Sequence, residues 1–117
     1  MPEPAARAAE GEAIVLIAGP FNHSMASVAD RVLRVHHALA WHTTCAEAIR
    51  VASERRVEIV LAARALADGD WRFLLNGLAQ LRRCPPVVVL AAHPSVHFRD
   101  AAARLGAAAC IGLGRAS

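Results

Sequence analysis

His93 and His97 stand four residues apart, the spacing that puts two imidazoles on one helix face and could hold a metal ion. Pro94 falls between them, so His93 is expected to precede the helix, and no cysteine or carboxylate is placed to complete a tetrahedral set. Polar or capping histidines, with no metal, are expected. Asp68-Gly69-Asp70 could in principle bind a cation or accept a phosphoryl group. The same triplet is ordinary turn chemistry, with Gly69 supplying an unusual dihedral and the aspartates capping a helix that begins at Trp71. Cys45, Cys84 and Cys110 are odd in number and lack CxxC spacing, which predicts reduced thiols. Cys45 and Cys110 sit in apolar patterns as small core residues, and Cys84 beside Pro85 lacks a basic helix terminus to activate it. No nucleophile and base can be paired, and only Ala18-Gly19-Pro20 follows the first strand where a GxGxxG loop would bind nucleotide. The chain is therefore expected to be no enzyme and to carry no cofactor.

The elements that would position such residues are marked by apolar runs at 13–18 (AIVLIA), 57–63 (VEIVLAA) and 87–92 (VVVLAA). Runs that are apolar at nearly every position predict strands covered on both faces, as parallel strands are. A short strand through residues 37–41 and a last one near 107–112 complete five. Between them, Met25, Val28, Ala29, Val32 and Leu33 recur at helical spacing behind Asn22 as N-cap, and Thr44 to Glu47 reads as a capping box opening a second helix that runs to about Arg55. Trp71, Leu74, Leu75, Leu78 and Leu81 form the stripe of a third helix, stopped by Cys84-Pro85-Pro86. A fourth carries Phe98, Ala101, Ala102 and Leu105 on its core side before Gly106. This alternation predicts an α/β, flavodoxin-like three-layer sandwich with a five-stranded parallel sheet of order 2-1-3-4-5. Residues 1–12 lack periodicity and read as a disordered arm, leaving one domain at 13–115. The helix that should follow the last strand is missing. Either the natural protein continues beyond this chain or another chain covers the gap.

At 117 residues and 56% apolar content the chain fits one domain with a real core. Its charge of +3 comes from 13 arginines with no lysine, scattered in pairs such as Arg55 and Arg56 or Arg82 and Arg83. That scatter reads as solvated helix faces rather than a nucleic-acid patch. His36, His37 and His42 flank an edge strand, where polar residues discourage edge-to-edge pairing. No apolar run approaches the roughly 20 residues that cross a bilayer, and the opening segment lacks a signal-peptide centre, which predicts a cytoplasmic protein without a membrane partner.

The stretch from Val57 through PPVVVL, the DGD loop at Asp68 to Asp70, and the LGA turn at Leu105 to Ala107 together resemble the receiver domain of two-component response regulators, CheY-like. In cadence they are most similar to receivers that precede a helix-turn-helix output domain, and the resemblance spans 13–115. It implies an acid pair after the first strand, a phosphoacceptor aspartate ending the third, a hydroxyl ending the fourth and a lysine after the fifth. Here those positions are Ala18 and Gly19, Ala63, Ala91 and Leu113. An alanine methyl forms no acyl phosphate, and Mg²⁺ needs several hard oxygen ligands. The resemblance therefore implies a pseudo-receiver: a phosphorylation-independent protein-interaction module in bacterial signal transduction or transcription control. Its partner is a protein or a second copy in a homodimer, and DNA is reached only through an output domain absent from this chain. Carried over, the interaction surface is the outward side of the fourth helix, Arg99, Ala103 and Arg104. The alternative is a small-molecule sensor that uses the vacated phosphorylation pocket, with Arg64, His93 and His23 making it mildly attractive to anions.

Overall fold

The computed structural model describes residues 13–35 and 38–114. The expected arm at 1–12, His36 and His37, and the last three residues lie outside them. Along the chain run β1 (Ile14–Ala18), α1 (His23–Leu33), β2 (Leu39–His42), α2 (Cys45–Glu54), β3 (Val57–Ala63), β4 (Ala65–Leu66), β5 (Gly69–Asp70), α3 (Trp71–Ala79), β6 (Val87–Ala91), α4 (Val96–Arg104) and β7 (Ala109–Gly112). Five strands form one parallel sheet in the order β2-β1-β3-β6-β7, while β4 and β5 pair antiparallel as a two-residue ribbon. With that ribbon set aside, the order is the 2-1-3-4-5 of the flavodoxin-like fold.

The apolar runs account for the layers. Every residue of β1 and of β6 is buried, because helices pack on both sides of the strands. Leu16, Val60, Val87 and Val89 meet Ala48 and Val51 of α2, Trp71, Leu74 and Leu78 of α3, and Ala102 of α4. On the opposite face Val15, Ile17, Val88 and Leu90 cluster with Met25 and Ala29 of α1. Each fully buried aliphatic side chain contributes about 1.5–3 kcal/mol relative to exposure. A register shift between Ile14 and Val15 adds one residue to β3 relative to β1, and with it Ile59, Leu61 and Ala63 stand on the α1 side. Ile59 and Leu61 are only half-buried there, and Ile111 of β7 is 49% exposed. Among the described residues no helix follows β7.

Local chemistry sets the helix ends. Asn22, Thr44, Asp70 and Ser95 each accept a backbone N–H of the turn they open. Thr44 takes the Glu47 N–H at 3.1 Å, but the Glu47 carboxylate turns to Arg50 at 2.7 Å, so only one half of the expected capping box forms. The expected pairing of both aspartates with α3 is also corrected. Asp70 caps α3 through Arg72 and Phe73, whereas Asp68 reaches across to the Cys45 and Ala46 N–H groups at the start of α2. Helix α3 ends at Ala79, short of Cys84, because Gln80 and Leu81 tighten onto Gly77 and Leu78 in three-residue turns. Gly106 closes α4 with φ of +102°, a left-handed conformation that glycine adopts without strain. Leu33 and Leu105, assigned to core faces by spacing, are 45% and 52% exposed; they are the last residue of α1 and the C-cap of α4. No helix of the described residues is long and apolar enough to cross a membrane.

Candidate functional site

The carboxyl ends of β1, β3 and β6 converge where an open α/β sheet places its ligands. Parallel pairing sets Ala18 beside Ala62, Ala63 beside Leu90 and Ala91 beside Gly112. The turn after β1 is pinned from its neighbour strand: Gly19 donates its N–H to the His42 carbonyl at 3.0 Å, and the Trp41 indole donates to the Gly19 carbonyl at 3.0 Å. Phe21 packs edge-on against Trp41 with ring centroids 4.8 Å apart. This closes Gly19 down on β3, where a β-carbon on Gly19 would fall 2.7 Å from the Ala63 β-carbon and 3.0 Å from the Met25 methyl. The space in which an acidic side chain would stand is thus filled by Met25, itself 3% exposed.

Above this floor lies an open pocket of about 460 Å³, lined by Asn22, Ser24, Met25, Ala63, Arg64, Leu90, Ala91, Ala92, His93 and Leu113. Arg64, the first residue past β3, does not point into solvent alone: its guanidinium sits 4.9 Å from the centroid of Phe98 on α4. Such a cation–π contact contributes about 0.5–1 kcal/mol at an exposed site. Phe98 in turn meets Trp71 edge-on at 5.2 Å, and Arg72 lies over the other ring at 5.6 Å. The His93 ring lies against the chain leaving β7, so close to Gly114 that a β-carbon there would overlap it. Leu113 forms the remaining wall, its N–H donating to the Ala91 carbonyl at 2.7 Å.

The sequence-selected residues are only partly united here. Ala63, Ala91, Leu113, Arg64 and His93 share the pocket, with Ala18 and Gly19 buried beneath it. His23 does not join them. As the first residue of α1 it lines a neighbouring groove with Ser27, Val28, Arg31 and Gly112. Arg99 is exposed and donates to the Cys110 carbonyl on the edge strand β7 at 2.8 Å. Ala103 and Arg104 are exposed, and Arg104 pairs with Asp100 at 3.2 Å. Sequence reasoning did not single out Ser24, Leu90 or Phe98. Phe98 carried a signal, since the period that turns α4 toward the sheet also turns its first aromatic toward the strand ends.

The titratable groups near the sheet ends serve structure. Burial, reinforced by the negative charge of Asp68, pushes the Cys45 thiol up to about 12, which keeps it protonated and unreactive. The two backbone N–H groups of α2 hold the Asp68 carboxyl below its ordinary range. No group of three histidine, cysteine or acidic side chains among the described residues is arranged to hold a metal ion.

The architecture is that of response-regulator receiver domains. The non-phosphorylated HemR receiver domain from Leptospira biflexa superposes with a TM-score of 0.73 at 20% identity, over 86% of this chain and 82% of that one. The receiver domain of a Francisella response regulator gives 0.75 at 15% identity, over 85% and 82%. A receiver from Saccharomyces cerevisiae, solved in complex with a histidine phosphotransfer signalling protein, gives 0.74 at 12% identity, over 90% and 81%. No family model matches the sequence, and no curated protein matches it. Identities this low establish the CheY-like fold and leave activity to the residues themselves.

Proposed function

We propose that this chain is a pseudo-receiver, a receiver-fold module that works in signal transduction by contacting proteins and does so without accepting a phosphoryl group. One observation carries the reading: the strand ends that converge at the site present Ala18, Gly19, Ala63 and Ala91, and the Gly19 turn is packed directly onto Ala63. Acyl-phosphate formation at the end of β3 needs a carboxylate oxygen there, and the transfer needs cations to spread the charge on the transferring oxygens. Alanine supplies neither. The acidic residues of the neighbourhood, Asp68 and Asp70, are committed to the N-termini of α2 and α3.

A receiver fold that takes no phosphoryl group has its surface left to act with. On the α1 side of the sheet Ile111 of β7 stands exposed and Ile59 and Leu61 of β3 are half-buried, and on α4 Ala103 and Arg104 face outward. Exposed apolar residues flanked by charge are the composition of contact surfaces. The histidine phosphotransfer complex of the yeast receiver shows that this fold can serve as a protein-binding partner there, which supports a protein partner here. Regulation of transcription would follow from an output domain joined to or bound by the module.

The test is chemical. Incubation with acetyl phosphate and Mg²⁺, followed by intact mass, is expected to give no phosphoryl adduct, and beryllofluoride with Mg²⁺ is expected to leave the amide spectrum of Ala63, Ala91 and Leu113 unchanged. A saturable adduct, or beryllofluoride shifts centred on those residues, would defeat the reading.

A further inference from the structure

The strand-end pocket has a chemical bias that the absence of phosphotransfer leaves unused. Ala63, Leu90 and Ala91 give it an apolar floor and Leu113 an apolar wall, and two basic side chains, Arg64 and His93, also line it. None of its lining residues is a carboxylate, and among the described residues no carboxylate pairs with Arg64. A cation would therefore meet the arginine charge with nothing to offset it. An uncharged apolar molecule would fill the floor and leave the guanidinium unused. A carboxylate matches the planar fork of arginine with two oxygens, and an apolar body behind it matches the floor. The volume, about 460 Å³, lies within the range of small-molecule sites.

Arg64 also has somewhere to come from. Its guanidinium lies over Phe98, and Phe98 meets Trp71, so the same side chain touches the pocket and the packed start of α4. A charge-assisted, bidentate pair with a carboxylate is stronger than a solvent-exposed cation–π contact. Binding would then draw Arg64 from the Phe98 ring, and a ligand shifts an equilibrium only through such a difference in contacts.

We propose that the pocket binds a small organic carboxylate with an apolar body, its head held by Arg64 and His93, and that Arg64 transmits binding to α4 through Phe98. The inference rests on the reading that Ala63 takes no phosphoryl group, which leaves the pocket free for another ligand.

Benzoate is the probe, with benzamide as its uncharged match, titrated into the full isotopically labelled chain at constant ionic strength. Benzoate is expected to give saturable amide shifts at Ala63, Arg64, His93 and Leu113 and a coupled shift of the Trp71 indole resonance, while benzamide gives none. Arg64→Met, which keeps an apolar side chain over Phe98, is expected to weaken benzoate by about tenfold or more. Arg72→Met, which removes an exposed arginine outside the pocket, is expected to leave it unchanged. Equal binding of benzamide, equal loss in Arg72→Met, or shifts spread over the surface arginines would overturn the proposal, as would the absence of saturable shifts. Local amide shifts without the Trp71 response would overturn its transmission to α4. A phosphoryl adduct formed with acetyl phosphate would instead defeat the functional reading, and is read separately by mass.

Discussion

Replacing Gly19 with alanine tests whether the turn after β1 is truly closed onto β3. Gly19 is not among the residues with positive φ, so nothing in its backbone conformation demands glycine. In open space the substitution would stabilise the protein by about 0.4–1 kcal/mol, because alanine restricts the unfolded chain. The new methyl, however, would lie 2.7 Å from the Ala63 β-carbon and 3.0 Å from the Met25 methyl. Carbon atoms prefer about 3.5–4.0 Å, and forcing an extra methyl into a packed site typically costs about 1–3 kcal/mol. Met25 can swing its terminal methyl aside, but the Ala63 β-carbon is fixed to the strand. The expected net effect is a loss of about 1–2 kcal/mol, or about 3–6 °C of melting temperature per kcal/mol for a domain of this size. Urea unfolding should show a lower midpoint with an unchanged slope. Adding Ala63→Gly removes the opposing methyl, so the double variant should lose less than the two single variants summed. A Gly19→Ala protein that is as stable as the parent, or more so, would show that the turn is open and that an acidic side chain could stand there.

Asp68→Asn is expected to lower stability at neutral pH by weakening the cap on α2. The folded carboxyl is held below its unfolded value by the Cys45 and Ala46 N–H groups, so its contribution is full above the unfolded range near 3.9 and is lost as pH falls through the lower folded value. The gap between parent and variant should therefore close on acidification, and urea melts at pH 7 and at pH 2 to 3 read it; a gap that persists in acid would refute the assignment. Thiol titration with Ellman's reagent should label exposed Cys84 first and leave buried Cys45 unreacted until the protein unfolds; early labelling of Cys45 would contradict its placement. Leu78→Ala, at a fully buried position between α3 and the sheet, should cost about 2–5 kcal/mol in urea unfolding, and a loss below 1 kcal/mol would mean the layer is not packed as described.

The sheet was legible because its signal is local. Runs such as VEIVLAA and VVVLA are apolar at nearly every position, and that pattern belongs to strands covered on both faces. Asn22, Thr44 and the aspartate before Trp71 announced their helices for the same reason, since a cap and the N–H groups it satisfies lie within three residues. What escaped was non-local. Asp68 caps a helix that begins 23 residues earlier, a partnership fixed by the β4–β5 ribbon rather than by spacing. The burial of a helical stripe depends on what stands opposite, so Leu33 and Leu105 fit the periodicity and still lie exposed. In the site, the emptied strand ends could be read from single letters, whereas the Arg64–Phe98 contact joins residues brought together only when α4 docks on the sheet. His23 was drawn toward the pocket by its closeness to β1 in sequence, but helix geometry turns it to the groove beside β7.

Light scattering over a concentration series, run with and without acetyl phosphate and Mg²⁺, tests the central claim most directly, because it reads protein contact and phosphoryl dependence together. The account predicts that the mass at each concentration is the same in both conditions, a dimer identifying a second copy of this chain as the partner and a monomer pointing to a different protein. An assembly that forms or dissolves only when the phosphodonor is present would contradict it.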